Sequence, residues 1–221
     1  MERGFTQVFG GPDADATGIT RDLGRDWDIV TDLAIKLVPG GHPYHAFAEA
    51  AANAARQGNL APEQITAIIV SRPGLMKLKG PLHPKDLIDM AHSPAYFTAA
   101  GARDKRFGWE HANAAKINDP IIHTLIDKVR VGAQPTENVA AYRQGATVSI
   151  ETPDGRTVTN TVLVPTGAAC LGLDRADIEA KYQSLAPHAP MSTRKVEASL
   201  AAIRALRSSN RASELLDQLR S

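Results

Sequence analysis

The sequence predicts an α+β fold with antiparallel strands, set between terminal segments that read as pieces of a larger helical domain. Three observations lead to this prediction. Residues 46–57 are rich in alanine and have the composition of a tightly packed helix. Residues 147–164 alternate between polar and apolar side chains around a turn, and the chain from residue 174 onward places apolar residues at helical spacing.

The first predicted elements lie around the alanine-rich stretch. A helix is expected at about residues 44–57, and the apolar, β-branched residues 66–71 predict a strand. Residues 72–84 contain several prolines and glycines and predict a loop. Lys77 and Lys79 lie in that loop, where we expect both side chains to be solvated.

The middle of the chain continues the mixed pattern. A helical region at residues 85–103 is interrupted near Pro94, another helix opens at Pro120, and a strand is marked by Val129 and Val131. Proline in the first turn favours a helix start, because the missing N–H would have no partner there in any case. Helices and strands thus follow one another along a single mixed domain.

The clearest local signal is a β-hairpin. Residues 147–152 and 156–164 form two runs, and Pro153-Asp154-Gly155 between them is a turn sequence. The alternation in the second run predicts antiparallel strands with one face buried and one face solvated.

The two ends of the chain are more apolar than tails usually are. Phe5, Phe9 and Trp27 lie in residues 1–31, a segment interrupted by glycines. Such large apolar side chains are unusual in a flexible tail and require a surface to pack against. The predicted helices at about residues 174–185 and 193–207, with a further terminal helix, are amphipathic and also require a surface to pack on. Both ends therefore resemble parts of a larger domain.

The bulk composition narrows the classes of function. The chain has 221 residues, and its 25 basic against 24 acidic residues give a net charge of +1, so no nucleic-acid partner is expected. The lone Cys170 excludes an intramolecular disulfide. The N-terminus lacks a secretory signal and no run approaches the roughly 20 apolar residues of a membrane helix, so we expect no membrane partner and a cytoplasmic location.

The main candidate site is the segment of residues 35–45, which contains Lys36, His42 and His45 next to Gly40-Gly41. Cationic and imidazole groups at the start of a helix suit a substrate that carries carboxylates. The H-x-x-H spacing could bind a metal, but no third ligand is evident and we expect none. Each histidine can equally be structural, and Lys36 can simply extend to solvent.

A second candidate cluster contains His92, Ser93 and Tyr96. His92 and Tyr96 are four residues apart and would share a helix face, while Ser93 is suited to cap a helix. Tyr96 could donate a hydrogen bond to a substrate oxygen, although a buried tyrosine with a bonded hydroxyl is the commoner arrangement.

The order of these features resembles the C-terminal half of the MmgE/PrpD family, which includes 2-methylcitrate dehydratases, cis-aconitate decarboxylases and an iminodisuccinate epimerase. The resemblance extends over most of residues 1–190. The segments that carry it are Lys36-x-x-Pro39 through His45 with the helix after it, Pro62-Glu63-x-Ile65, Leu82-His83-Pro84, Ala91-His92-Ser93-x-x-Tyr96, Asp154-Gly155, the Gly167 region, and Lys181 before Tyr182.

The resemblance implies a two-part architecture, with an α+β lid at residues 33–166 and parts of an all-helical domain at residues 1–32 and 167–221. It places the active site between the two parts, with Lys36 holding a substrate carboxylate. It further implies that His42 or His45 moves a proton and that Tyr96 donates to a leaving or carboxylate oxygen. His92 and Ser93 are then candidate substrate-binding residues, and the chemistry needs no cofactor.

The function that follows is the C-terminal portion of a dehydratase-type lyase acting on a small di- or tricarboxylic acid such as 2-methylcitrate. The family's Asp-Asp and His segment of the helical domain is not found in the sequence, so we expect the chain to be inactive alone. Its expected partners are a separate chain with that half-site or a second copy. A non-catalytic remnant or assembly module, and part of an epimerase, are the alternatives.

Overall fold

A four-stranded mixed sheet with helices against it forms the centre of the protein, which confirms the predicted α+β class. The computed structural model describes residues 4–11, 13–19, 21–25, 27, 33–172, 175–209, 211 and 213–219. The strands are β1 (Ala67–Ser71), β2 (Val129–Val131), β3 (Ala146–Glu151) and β4 (Thr157–Val162).

The α-helices among these residues include those predicted, together with two that were not, Phe5–Gly10 and Ala114–Ile117. They are α1 (Phe5–Gly10), α2 (His45–Gln57), α3 (Leu87–Ala91), α4 (Pro94–Asp104), α5 (Ala114–Ile117), α6 (Pro120–Ile126), α7 (Arg175–Leu185), α8 (Thr193–Ala205) and α9 (Ser213–Leu219). Residue 174, where a helix was expected to begin, lies outside the described residues. None of the described helices has the length and apolar character needed to cross a membrane.

The sheet has the strand order β2-β1-β3-β4. The predicted hairpin of β3 and β4 is antiparallel, as expected, and β3 also pairs antiparallel with β1. The expectation of antiparallel strands does not extend to β2, which pairs parallel to β1. The reason is that the chain between β1 and β2 crosses over through helices, and such a crossover returns the chain in the same direction.

The two faces of the sheet differ in polarity. Ile68 of β1 pairs with Ile150 of β3, and both side chains are fully buried on the face toward the helices. On the other face the Thr147 and Thr161 hydroxyls lie 2.8 Å apart in a cross-strand pair. The predicted solvated face is therefore present in the hairpin, where it carries threonine and serine hydroxyls of β3 and β4.

Helix α2 is the centre of the core. It contacts β3 and β4 on one side and α4 on the other. Its alanines carry this packing, since all seven are buried: Ala46, Ala48, Ala50, Ala51, Ala52, Ala54 and Ala55. A Cβ at Gly101 of α4 would lie 2.3 Å from the Ala48 carbonyl oxygen, so only glycine allows the two helices to approach this closely.

A buried ionic cluster closes the end of α4. The Asp104 carboxylate accepts hydrogen bonds from Arg103 and Lys116, and it also lies 3.0 Å from His111 Nε2. Burial alone would raise the pKa of Asp104, but the bonds from Lys116 and Arg103 outweigh burial and hold the pKa below its ordinary value. The carboxylate is thus charged at neutral pH and neutralised by its own neighbours.

The ends of the mixed domain meet where the chain enters and leaves it. Ala34 forms an isolated antiparallel bridge with Ala168, and the Ile35 N–H donates to the Gly167 carbonyl at 2.8 Å. This pairing lies at the boundaries predicted for the lid domain, residues 33 and 166. Beyond it, Phe5 and Phe9 of α1 are 75% and 76% exposed, so neither ring is buried by the residues that the structure describes.

We expect Asp104→Asn to lower the free energy of unfolding by about 3 kcal/mol, because it removes the anion that pairs with Arg103 and Lys116 in a largely buried site. Chemical denaturation measures the change. Asp127→Asn is the matched control, since Asp127 is exposed and pairs only with the surface residue His83; its effect should stay below about 1 kcal/mol. Equal effects of the two substitutions would contradict this account of the cluster.

Candidate functional site

The segment before α2 is held in place by its two glycines. Gly40 has a φ of +84°, and a Cβ there would lie 2.5 Å from Cζ of Phe97, so this position requires glycine. The Gly41 N–H donates to the Ala91 carbonyl at 2.9 Å. The chain then forms a short 3-10 helix, His42–Tyr44, that runs directly into α2. The candidate histidines are therefore fixed against α3 and α4 by backbone contacts.

His42 and His45 contact each other directly. Their Nδ1 atoms are 3.2 Å apart, and their rings meet edge to face with centroids at 4.9 Å. His45 is only 3% exposed and stacks on the Phe97 ring at 6.1 Å. In a neutral pair one Nδ1 must donate and the other accept, so this contact links the tautomers of the two rings.

Both imidazoles are held in the neutral form. Burial lowers the pKa of His45 to about 4, the neighbouring His42 and Lys36 lower it further, and the carbonyls of Gly40 and Pro39 partly oppose the shift. Burial also lowers the pKa of His42, and the charge of Lys36 adds to this effect. The structure thus brings three predicted site residues together as two neutral imidazoles beside an exposed cation.

A cavity of about 260 Å³ lies on the His45 side of this pair. His45 Nε2 is buried and has no hydrogen-bond partner among the described residues. Leu37 and Phe107 supply apolar walls, and the polar lining residues are Glu49, Asn53, Arg56, Arg106 and Thr166. A buried imidazole nitrogen without a partner costs free energy unless a ligand or a water satisfies it.

The polar groups around this cavity already have partners of their own. Thr166 donates to the Glu49 carboxylate at 2.7 Å, Arg56 donates to the Lys105 carbonyl at 2.8 Å, and Arg106 pairs with a glutamate at 3.1 Å. The unsatisfied group of the cavity is the imidazole of His45. His42 lines a separate small cleft of about 30 Å³.

The second predicted cluster, His92, Ser93 and Tyr96, differs from the histidine pair because Ser93 and Tyr96 use their polar groups within the fold. The Tyr96 hydroxyl is buried and donates to the His111 carbonyl at 2.8 Å, and burial with the nearby Asp104 and Asp119 raises its pKa. Ser93 is also buried, and its Oγ accepts from the Tyr96 N–H at 3.2 Å as the cap of α4. Tyr96 is thus a buried tyrosine with a bonded hydroxyl, and Ser93 is a helix cap, which are the structural roles considered for both residues.

His92 does not share a helix with Tyr96, contrary to the expectation from their spacing. It follows the last residue of α3, is exposed, and its Nδ1 lies 2.8 Å from the Ile88 carbonyl. Helix α4 begins only at Pro94, so the helix break at Ser93 separates His92 from Tyr96. Among the described residues no three His, Cys, Asp or Glu side chains come together as a metal site.

Comparison of the chain with known protein families identifies the family to which it belongs. Residues 39–206 match the MmgE/PrpD C-terminal domain. The chain belongs to the MmgE/PrpD family. The matched range contains His42, His45 and the whole second cluster, whereas Lys36 lies just before it. No curated protein matches the chain.

The sequence did not point to the cavity that His45 lines in this MmgE/PrpD domain. Its polar wall comes from one face of α2, from the residues after α4 and from Thr166 after the hairpin. The only available signal was helical spacing, since Glu49, Asn53 and Arg56 interrupt the alanines at every third or fourth position. That spacing places them on one face of α2.

We expect the stability of the protein to fall in acid because of His45. Its folded-state pKa of about 4 lies below the ordinary 6.5, so folding releases its proton. The stability is complete above about pH 6.5 and is lost as the pH falls toward 4. Between pH 7 and pH 4 the wild type should lose about 3 kcal/mol more than His45→Gln, measured by denaturant unfolding.

His188→Gln is the control for this experiment, because His188 is an exposed histidine of the C-terminal part. Its unfolding free energy should follow that of the wild type across the same pH range. Parallel curves for wild type and His45→Gln would contradict a depressed pKa at His45.

Proposed function

We propose that the chain is the C-terminal portion of a dehydratase-type lyase that acts on a small di- or tricarboxylic acid such as 2-methylcitrate. The family relationship supports the class of reaction, and the geometry of the candidate site supports its chemistry. The proposal assigns binding of a substrate carboxylate to Lys36 and proton transfer to the His42–His45 pair.

One observation carries this proposal: a neutral, buried imidazole with an unsatisfied Nε2 lies beside a cavity and next to a lysine. A neutral imidazole can accept a proton, as a general base must. A nearby ammonium offsets the negative charge that grows when a proton leaves the carbon next to a carboxylate. The charge of Lys36 contributes to the lowered pKa of both histidines, which supports a role for the lysine at the same substrate.

The proposed elimination uses these groups in sequence. The imidazole removes a proton from the carbon next to a carboxylate, and Lys36 stabilises the enolate-like charge on that carboxylate. Collapse of this charge forms the double bond and expels the hydroxyl group, which leaves as water after it gains a proton. The contact between His42 and His45 offers a path for that proton, since a change of tautomer in one ring is coupled to the other.

Tyr96 has an indirect role in this proposal. Its hydroxyl is fully buried and already donates to the His111 carbonyl. It therefore positions α4, whose Phe97 ring stacks on His45, and does not itself contact substrate. Ser93 acts in the same way as a helix cap, and His92 is the exposed residue of that cluster.

The remaining half of the proposed site comes from the helical domain of the family. The described terminal helices offer apolar surface for it, with Leu216 of α9 54% exposed. A groove lined by Ile178, Tyr182, Leu200 and Ile203 lies between α7 and α8. We propose that a separate chain with the N-terminal half-site packs on these surfaces, or that a second copy does so.

A non-catalytic assembly module is the second candidate function. The observation in its favour is that Tyr96 and Ser93 use their polar groups within the fold. Part of an epimerase of the same family is a further alternative, since removal and return of a proton uses the same imidazole and the same cation.

We expect turnover of 2-methylcitrate or cis-aconitate only when the chain is co-purified with a family chain that carries the Asp-Asp and His half-site. In that complex, Lys36→Ala and His45→Gln should each lower kcat/KM by about a hundredfold, because each removes a group that acts on developing charge or on the proton. Tyr96→Phe should lower stability and leave kcat within a few-fold of wild type.

Lys85→Ala and His188→Gln are the matched controls, since both side chains are exposed and lie outside the candidate site. Turnover that is unchanged in Lys36→Ala and His45→Gln would contradict the assigned roles. A complex that forms but turns over neither acid, nor epimerises a dicarboxylic substrate, would favour the assembly module.

A further inference from the structure

A second cavity is lined by Tyr44 and Phe47, which lie in the same segment as the histidines. It has a volume of about 340 Å³ and shares no lining residue with the cavity at His45. Its main lining residues are Tyr44, Phe47, Arg72, Leu75, Lys77 and Lys79. The volume is at the low end of the range for small-molecule sites.

Arg72 is the central charged group of this cavity. It is half-buried, its Nη1 donates to the Pro43 carbonyl at 2.7 Å, and its guanidinium lies 5.3 Å over the Phe47 ring. Burial lowers its pKa and Tyr44 partly opposes this, but a guanidinium remains charged at neutral pH. The contacts with Pro43 and Phe47 fix its plane, and its other N–H groups have no hydrogen-bond partner among the described residues.

Lys77 and Lys79 add two further cations at the rim. Both were expected to be solvated and both are exposed, yet they also line the cavity. Their loop is fixed by Gln134, which accepts from the Gly74 N–H at 3.0 Å and donates to the Met76 sulfur at 2.8 Å. The loop therefore has a defined conformation that places the two lysines beside Arg72.

No acidic side chain lines this cavity, and no described carboxylate forms an ion pair with Arg72, Lys77 or Lys79. This differs from the cluster at Asp104, where every cation is neutralised. The walls between the charges are apolar and aromatic, with the Tyr44 and Phe47 rings 6.0 Å apart. Unpaired cations around an apolar concave surface favour a ligand that is anionic at one end and apolar at the other.

We propose that this cavity binds a small organic anion, with a carboxylate or phosphate head held by Arg72 and the two lysines and an apolar body against Tyr44, Phe47 and Leu75. The planar guanidinium can donate hydrogen bonds to two oxygens of either head group at once. The proposal does not rest on the proposed lyase chemistry, since the two cavities share no lining residue.

Titration of the full chain with four probes tests the proposal: phenyl phosphate, benzoate, inorganic phosphate and benzyl alcohol. Calorimetry gives the affinity, and shifts of the backbone amide signals of residues 74–79 give the location. We expect phenyl phosphate or benzoate to bind at least about tenfold more tightly than inorganic phosphate and benzyl alcohol, because both ends contribute. Which of the two binds more tightly identifies the head group.

The double variant Lys77→Gln/Lys79→Gln should weaken that binding about tenfold without loss of fold, because both side chains are exposed. Arg72→Lys should weaken it further by removing the two-oxygen contact. The matched control is Lys85→Gln/Arg130→Gln, which removes the same charge from exposed positions elsewhere and should leave the affinity unchanged.

His45→Gln should also leave this affinity unchanged, which separates the second cavity from the proposed active site. The proposal is overturned if neither organic anion binds. It is also overturned if the control variant weakens binding as much as Lys77→Gln/Lys79→Gln does, since the attraction would then come from overall charge.

Discussion

The close approach of α2 and α4 is the constraint on which the rest of the structure depends. Alanine side chains line α2, and Gly101 leaves room for the Ala48 carbonyl at the crossing. The two helices can therefore pack with almost no space between their backbones. This closeness brings Phe97 of α4 against Gly40 and His45, and so it fixes the candidate site as well as the core. The close approach of α2 and α4 thus determines both the dense packing of the core and the geometry of the candidate site.

The electrostatics of the site follow from that packing. A histidine between an aromatic ring and a second histidine, with a lysine nearby, has little access to water and no carboxylate to favour its charged form. Its pKa falls to about 4 for these reasons, so the His45 imidazole is neutral at pH 7. His111 in the Asp104 cluster differs from His45, because its buried imidazole contacts a carboxylate. At His45, by contrast, Nε2 is buried and has no hydrogen-bond partner among the described residues.

Local patterns in the sequence predicted most of the helices and strands. They predicted little of how these elements pair and pack in space. The hairpin, the alanine-rich helix and the break before Pro94 each depend on turn residues, composition or proline within a few positions. The parallel pairing of β2 depends on a crossover of more than fifty residues, which no local pattern reports. His92 and Tyr96 are four residues apart, but the cap at Ser93 ends one helix and starts another between them. The spacing rule therefore did not apply.

The candidate site was predicted in part for the same reason. Lys36, His42 and His45 are close in sequence, and a glycine pair followed by a helix start is enough to keep them close in space. The two cavities could not be predicted, because each has walls from segments far apart in the chain. They meet at one turn of helix: His45 and Ala48 face the first cavity, whereas Tyr44 and Phe47 face the second. Since side chains on a helix change direction by about 100° per residue, one short segment can form a wall of both sites. The residues of this turn thus line two cavities of different chemistry, with a buried imidazole at the first and two aromatic rings at the second.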